Sequence, residues 1–329
     1  MPTALEQIKE IIDKLAESGS ENIRSVVNDW RRNVVLMIAE SEPLDALSVE
    51  TLKVRLNALS QQVEAELSGV LSDNQRRLFV KGIQTVDRII NEKGIRHALP
   101  FISEKKLDLL QKYSAEQIRG LTDNATRSIS TEIDLAVLGQ KSASEVIANI
   151  GKNLDDPSIF GTVAKRAQVI FQTEVKRIQN ISTHDRIIQA KQQVGDMGKK
   201  WIHSHVGVPR PGHLMLDGVI IPADEQFELV GADGEIYYVD HPHDPDLPAG
   251  EVINCRCQIV PVVMRFEQQR IAAAYGRQTA VLQRLLLRLE PDNIQREAEE
   301  LFKAQFREPL VEFLEKVWKN KIVPAVCLK

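Results

Sequence analysis

The stretch WIHSHVGVPRPGHLMLDGVIIPADEQFELVGADGEIYYVDHPHDPDLPAGEVINCRCQIVPV, residues 201–262, decides the fold. It is dense in Gly and Pro and carries short β-branched runs. VIIP (219–222), EIYYV (235–239) and CQIVPVV (257–263) predict short strands, and ADGE (232–235) predicts a hairpin turn. From Asp217 to Glu251 there are ten acids and no Lys or Arg. Five of the seven histidines fall between His203 and His243, and two of the three cysteines, Cys255 and Cys257, stand one residue apart. The pattern predicts a small, loop-rich unit.

On both sides of it the pattern is helical. SVETLKVRLNALSQQVEAELSGVL (48–71) repeats apolar residues at three- and four-residue spacing. SDNQRRLFVKGIQTVDRIINEKG (72–94) predicts a second helix, capped by Ser72 or Asp73 and ended by Gly94. Residues 105–141 are helical again. A short helix is predicted from Ser142 or Ser144, with Gly151 inside it or at its end. A long helix is predicted from Thr162 to about Val194. Lys165 to Lys200 holds eight Lys or Arg against three acids, a locally basic stretch. Beyond 263 come two more helical patterns, 265–290 and 292–319, the first bearing arginines at 265, 270, 277, 284 and 288.

The expected fold class is therefore α+β, predominantly α-helical, with a small β-rich, loop-rich domain inserted between helical regions. The expected divisions are an N-terminal helical region 1–104, a domain 105–262 (helical to 200, β-rich over 201–262), and a C-terminal helical tail 263–329.

A length of 329 residues accommodates two or three domains. With 43% hydrophobic and 27% charged residues and a net charge of −4, the chain reads as an ordinary soluble protein and not as a polycation for nucleic acid. Three cysteines do not make a disulfide scaffold and point to a reducing compartment. The N-terminus MPTALEQIKEIIDKLAESGS lacks the apolar core of a signal peptide, and no run reaches the roughly 18 apolar residues of a membrane span. The expectation is a cytoplasmic protein without a membrane anchor.

The NCRC stretch admits two readings. Zinc takes thiolate and imidazole ligands, and His203, His205, His213, His241, His243, Cys255 and Cys257 are all candidates. A small loop-rich unit is where a structural metal helps most. Against this, residues i and i+2 of a regular strand lie about 6–7 Å apart, so shared ligation needs a bend. Free cysteine is also a common buried residue. His241, His243, Asp244 and Asp246, with His205 or His213, could also make a hydrolytic metal site. The plainer reading of HPHDPDLPAGE is a proline-braced acidic loop. No nucleophile–base motif and no Gly-rich phosphate loop is found.

An ordered set of residues now carries a resemblance. It runs from Arg166, Gln172-Thr173-Glu174, Arg177 and Asn180 through Lys200-Trp201, Arg210-Pro211-x-His213, Leu216-Asp217-Gly218 and Phe227 to HPHDPDLP and Asn254-Cys255-Arg256-Cys257. Over roughly 105–262 this resembles the phage Mu F-like family of minor head proteins. The resemblance implies head morphogenesis in a tailed phage or prophage and partners in the portal protein and capsid interior. It also implies a part in DNA packaging or delivery, and a place in the virion after assembly in the host cytoplasm. It makes His213 a partner for Cys255 and Cys257 around a structural zinc, with His241 or His205 as fourth ligand. Some relatives carry an added toxin or nuclease module; the helical tail here shows no catalytic constellation.

The same residues have a structural reading. Thr173, Arg177 and Asn180 share one helix face, and Glu174 can pair with Arg177 at i, i+3. Asp217-Gly218 looks like a turn, Trp201 and Phe227 like core anchors, and Arg210 like a bidentate partner for a carboxylate. On this reading the set, with Asn254 and Arg256, holds the small domain to the helix. Three functions compete: a head-assembly protein without catalysis, whose basic stretches 165–200 and 265–288 are candidates for DNA contact; a metal-dependent hydrolase or nuclease centred on 203–257; and a helical adaptor unrelated to phage.

Overall fold

The computed structural model describes residues 4–41, 46–96, 98–204 and 210–267. The tail helices predicted beyond residue 267, His97 and His205 lie outside the described residues. The chain divides into Met1–Val262 and Val263–Lys329, and the first unit contains both a helical bundle and the small β-rich unit.

Four long helices build the bundle: α1 (Ala4–Glu40), α2 (Ala46–Glu92), α3 (Lys105–Val137) and α5 (Ile159–Val194), with the short α4 (Ala143–Ile150) between α3 and α5. α5 packs on α1, α2 and α3, and α2 packs on α1, α3 and α5. One apolar cluster runs through all of them, from Ile12 and Trp30 through Leu56, Phe79 and Ile129 to Phe171 and Ile178. This core spans the 104/105 limit drawn from the sequence.

The two helices predicted over 48–71 and 72–94 are one. Leu67, Leu71 and Leu78 keep a single buried stripe running through Ser72-Asp73, so the cap-like pair does not interrupt it. Gln75, buried in that stripe, donates to Ser114 Oγ at 2.9 Å. α4 starts as the sequence indicates. Ser142 caps it, accepts from the Glu145 N–H, and donates its own N–H to the Glu145 carboxylate, a full capping box. Gly151, at φ 122°, ends the helix.

Glycine matters where α2 crosses α5. A Cβ on Gly82 would lie 2.0 Å from Ser182 Oγ and 2.8 Å from the Gln179 carbonyl oxygen. The two backbones meet there only because no side chain stands between them.

α5 is buried on nearly every face from Thr173 to Thr183. A helix enclosed all round needs a second covering layer besides the bundle, and the small β-rich unit supplies it through β1 (Met197–Ile202). The sheet order is β2 (Ile220–Pro222), β1, β5 (Gln258–Val263), with Lys199 opposite Ile221 in the antiparallel β1–β2 pair. β3 (Phe227–Val230) and β4 (Ile236–Val239) form a separate antiparallel hairpin, Phe227 opposite Val239. Two short helices complete the unit, α6 (Pro211–Met215) and α7 (Ala249–Val252). The predominantly helical α+β class is thus as expected. The sequence pattern does not predict β1 and β3, because Lys199, Lys200 and Glu228 break the apolar runs. No described helix is long and apolar enough to cross a membrane.

Candidate metal centre

The bend that shared ligation requires is present. α7 stops at Val252, whose carbonyl accepts the Cys255 N–H at 3.1 Å, and Asn254 takes a left-handed backbone with φ 59°. The chain turns there and enters β5 only at Gln258. Cys255 and Cys257 therefore do not sit in a regular strand, and both sulfurs face one histidine. His213 Nδ1 lies 3.5 Å from Cys255 Sγ and 3.5 Å from Cys257 Sγ. The three ligand atoms all fall within 4.8 Å of one another.

The surroundings fix this arrangement. His213, on α6, stands edge-on to Trp201 at 5.7 Å, and Trp201 stands edge-on to Phe227 at 5.2 Å. Trp201 and Phe227 are the core anchors the sequence suggests. α6 packs against β3 because position 212 is glycine: a Cβ there would come within 1.9 Å of the Val230 carbonyl oxygen. His213 Nε2 lies 2.9 Å from Glu251 Oε2, and Glu251 Oε1 accepts the Ala232 N–H at 2.9 Å. With Nε2–H donated to the carboxylate, Nδ1 turns a lone pair toward the sulfurs.

The two thiols share their protons unequally. The Cys257 S–H, donated to Cys255, holds the Cys255 thiol well below its usual pKa against the opposing effect of burial, with His243 and His213 helping. The same donation and burial raise Cys257. The Cys257 N–H also points at Cys255 Sγ, at 3.4 Å.

The docking residues behave as a set, with two corrections. Asn180 Nδ2 donates to the Cys257 carbonyl at 3.1 Å, and its Oδ1 accepts the Ile259 N–H at 3.0 Å. Thr173 Oγ1 accepts the Asn254 N–H at 3.2 Å, and Arg256 reaches Gln172 Oε1 at 3.3 Å. Arg177 does not join that face. It lies over the Tyr113 ring of α3, 5.6 Å from its centroid, with Nη1 3.6 Å from Glu174. Burial pushes the Glu174 carboxyl up, against the opposing effects of Arg177 and Ser114. Arg210 is not a bidentate clamp either: it donates to the Ile253 carbonyl at 2.6 Å and approaches Glu251 only to 3.9 Å. Asp217 Oδ1 accepts the His203 N–H at 2.9 Å, and Gly218, at φ 82°, closes the turn onto the Trp201 carbonyl.

His241 and His243 do not join the cluster gathered at the sulfurs. His241 Nδ1 lies 2.9 Å from the Pro242 carbonyl oxygen and its ring 5.5 Å from His184. His243 has both nitrogens engaged, Nε2 with the Cys255 carbonyl at 2.8 Å and Nδ1 with Asn180 at 3.2 Å. Burial pushes its pKa down, consistent with a neutral ring. Asp244 is occupied by the backbone, accepting the Asp240 N–H at 2.9 Å and the Asp246 N–H at 3.1 Å. Of the hydrolytic constellation suggested by His241, His243, Asp244 and Asp246, the first three side chains are thus engaged with the protein itself, and Asp246 is exposed.

Sequence reasoning misses Glu251 and Lys199. In the sequence Glu251 is one acid among ten. Lys199 is fully buried, 3.5 Å from Asp240 and 3.4 Å from His184 Nε2, and burial lowers its pKa.

Residues 127–260 match the family described as Phage Mu protein F like protein. The uncharacterized protein YqbB of Bacillus subtilis (strain 168) is 25% identical over 260 residues, covering 74% of this chain and 81% of that protein. NAD(+)–arginine ADP-ribosyltransferase EFV of Enterococcus faecalis (strain ATCC 700802 / V583) is 22% identical over 263 residues. That match takes in 77% of this chain and 48% of the enterococcal protein, so the chain spans about half of it. No solved structure matches. The matched segment contains α5, the docking residues and the whole sulfur–imidazole cluster, and over residues 127–260 the chain is similar to the Phage Mu protein F like family.

Proposed function

We propose that this is a minor head protein of a tailed phage or prophage, acting in head assembly next to the portal. The family match over 127–260 carries this reading. On it, 105–262 is the head-morphogenesis domain, 1–104 extends its bundle, and 263–329 is a helical tail. The protein is a virion component, assembled in the host cytoplasm, with the portal protein and the capsid interior as partners. The buried cluster supports an architectural role. His213, Glu251, Cys255 and Cys257 are each at most 3% exposed, the burial of a structural site and not of one that meets a substrate at the surface. The transferase activity in the enterococcal relative's name belongs to that protein, of which this chain matches half.

DNA contact through 165–200 is not favoured. Lys176 pairs with Asp13, Arg177 with Glu174, Arg186 with Asp87, Lys191 with Asp224 and Lys199 with Asp240. Five of the eight cations of that stretch are thus matched inside the protein, leaving little charge to neutralise phosphates.

The test is co-expression with the portal and major capsid proteins of the same phage or prophage. The expected result is that the protein sediments with procapsids, and that it binds isolated portal rings more tightly than capsid shells lacking a portal. Procapsids with the same composition whether or not a portal is present would overturn the portal assignment. Absence from procapsids altogether would overturn the head role.

A further inference from the structure

We propose that His213, Cys255 and Cys257 hold a zinc ion, with Glu251 as the residue that orients His213 toward it. The proposal concerns this chain's own chemistry and does not depend on the head-assembly role.

The spacing fits. With Zn–S near 2.3 Å and Zn–N near 2.0–2.1 Å, tetrahedral ligation separates a sulfur from a nitrogen by about 3.6 Å. Both S···N distances are 3.5 Å. Hydrogen bonding explains one of these contacts but not the pair. Nδ1 has one lone pair and accepts one S–H, yet two sulfurs stand at equal distance from it. A cation between the three atoms satisfies all of them.

The second layer fits as well. A metal-bound imidazole usually gives its other N–H to a carboxylate, which sets the tautomer and the ring orientation. Glu251 accepts it at 2.9 Å and is itself held by the Ala232 N–H. The Cys257 N–H directed at Cys255 Sγ helps carry thiolate charge. Two thiolates and an imidazole are soft to borderline donors, which suit zinc and not magnesium or calcium.

Two rival readings of the same atoms fail. A thiol, an imidazole and a carboxylate in line also describe a nucleophilic triad. Here all members are buried and two thiols compete for one base. A Cys255–Cys257 disulfide would close a very small ring and would leave His213 facing no proton or metal. Among the described residues no fourth such side chain joins the three, so water or a donor outside them completes the tetrahedron. The ion would tie α6, the end of α7 and the start of β5 at one point, and Asn180 and Thr173 would carry that point onto α5.

The test uses the full chain, purified under reductant without added metal. Elemental analysis is expected to give about one zinc per chain. A strong chelator should expose two thiols to a colorimetric reagent and lower the melting temperature, and added Zn²⁺ should reverse both. Cobalt reconstitution should give a sulfur-to-metal charge-transfer band, which a structural role without metal would not produce. Glu251→Gln keeps all three ligands and is expected to weaken zinc binding about 10–100-fold. The proposal is overturned if zinc is well below one per chain and added Zn²⁺ changes neither melting nor thiol reactivity. Stoichiometric metal of another kind, or zinc unaffected by Cys257→Ser in protein that remains folded, would overturn it equally.

Discussion

The helical bundle and the small β unit are held by different forces. The bundle has a single continuous apolar cluster of fully buried Leu, Ile, Val and Phe. The small unit buries a shorter apolar set: Trp201, Phe227, Leu229, Val239 and Ile259 fully, and Met197, Leu216, Leu247, Val252, Val260 and Val263 nearly so. Its interior also holds a dense set of polar groups: His203, His213, His241, His243, Asp244 and Glu251 are all buried. Each must find a partner or destabilise the fold. The bundle tolerates imprecise partners because dispersion and the hydrophobic effect are non-directional. The small unit depends on directed contacts, so single atoms matter more there.

This contrast can be tested by substitution. The largest expected loss is at Phe171→Ala, in the centre of the bundle. It should destabilise the protein by about 3–5 kcal/mol, read by chemical denaturation, and should not alter metal content. Asn180→Ala removes partners from the Cys257 carbonyl and the Ile259 N–H. A loss of about 3 kcal/mol is expected, with the fluorescence of a variant whose only tryptophan is Trp201 changing before helical circular dichroism is lost. Simultaneous loss of both signals would mean that the two regions unfold as one. Gly82→Ala forces α2 away from α5 and is expected to cost about 1–3 kcal/mol, appearing in the helical signal first.

Taken per pH unit, the smallest effect is the pH dependence at His184. Burial, with Lys199 and His241 beside it, pushes its pKa down to about 3, while Asp240 opposes this and Lys106 adds to it. The folded state therefore binds this proton less readily than the unfolded chain, whose histidine titrates near 6.5. Stability from this group is complete above about pH 6.5 and is lost as pH falls toward 3. The slope should stay below about 1.4 kcal/mol per pH unit. His184→Gln should flatten the stability profile over that window. An unchanged slope would show that His184 titrates normally.

Legibility in the sequence divides along the same line. The long helices are readable because their forces are periodic, and the predicted start of α5 lies within three residues of the observed one. α2 reads as two helices because its Ser-Asp pair resembles a cap, a local signal that the continuing Leu stripe overrides. In the small unit the strands with β-branched runs are readable, and β1 is not. His213, Cys255 and Cys257 come together as the family resemblance implies, by way of an Asn254 turn that no spacing rule supplies. Glu251 cannot be found from sequence, since its partner is 38 residues away and its own surroundings are uniformly acidic. His241 stands apart from the cluster, because proximity in sequence to His243 says nothing about which way each ring turns.

The α2–α5 crossing has a consequence for synthesis. The notch at Gly82 is filled by Gln179 and Ser182, about a hundred residues later in the chain. At about 5–20 residues per second, α2 waits roughly 5–20 seconds for the helix that completes it. During that interval the nascent α1–α2 pair presents its apolar seam to the cytosol. Slowing translation between the two helices should lengthen that exposure and lower the yield of soluble protein, even though the finished fold would be identical.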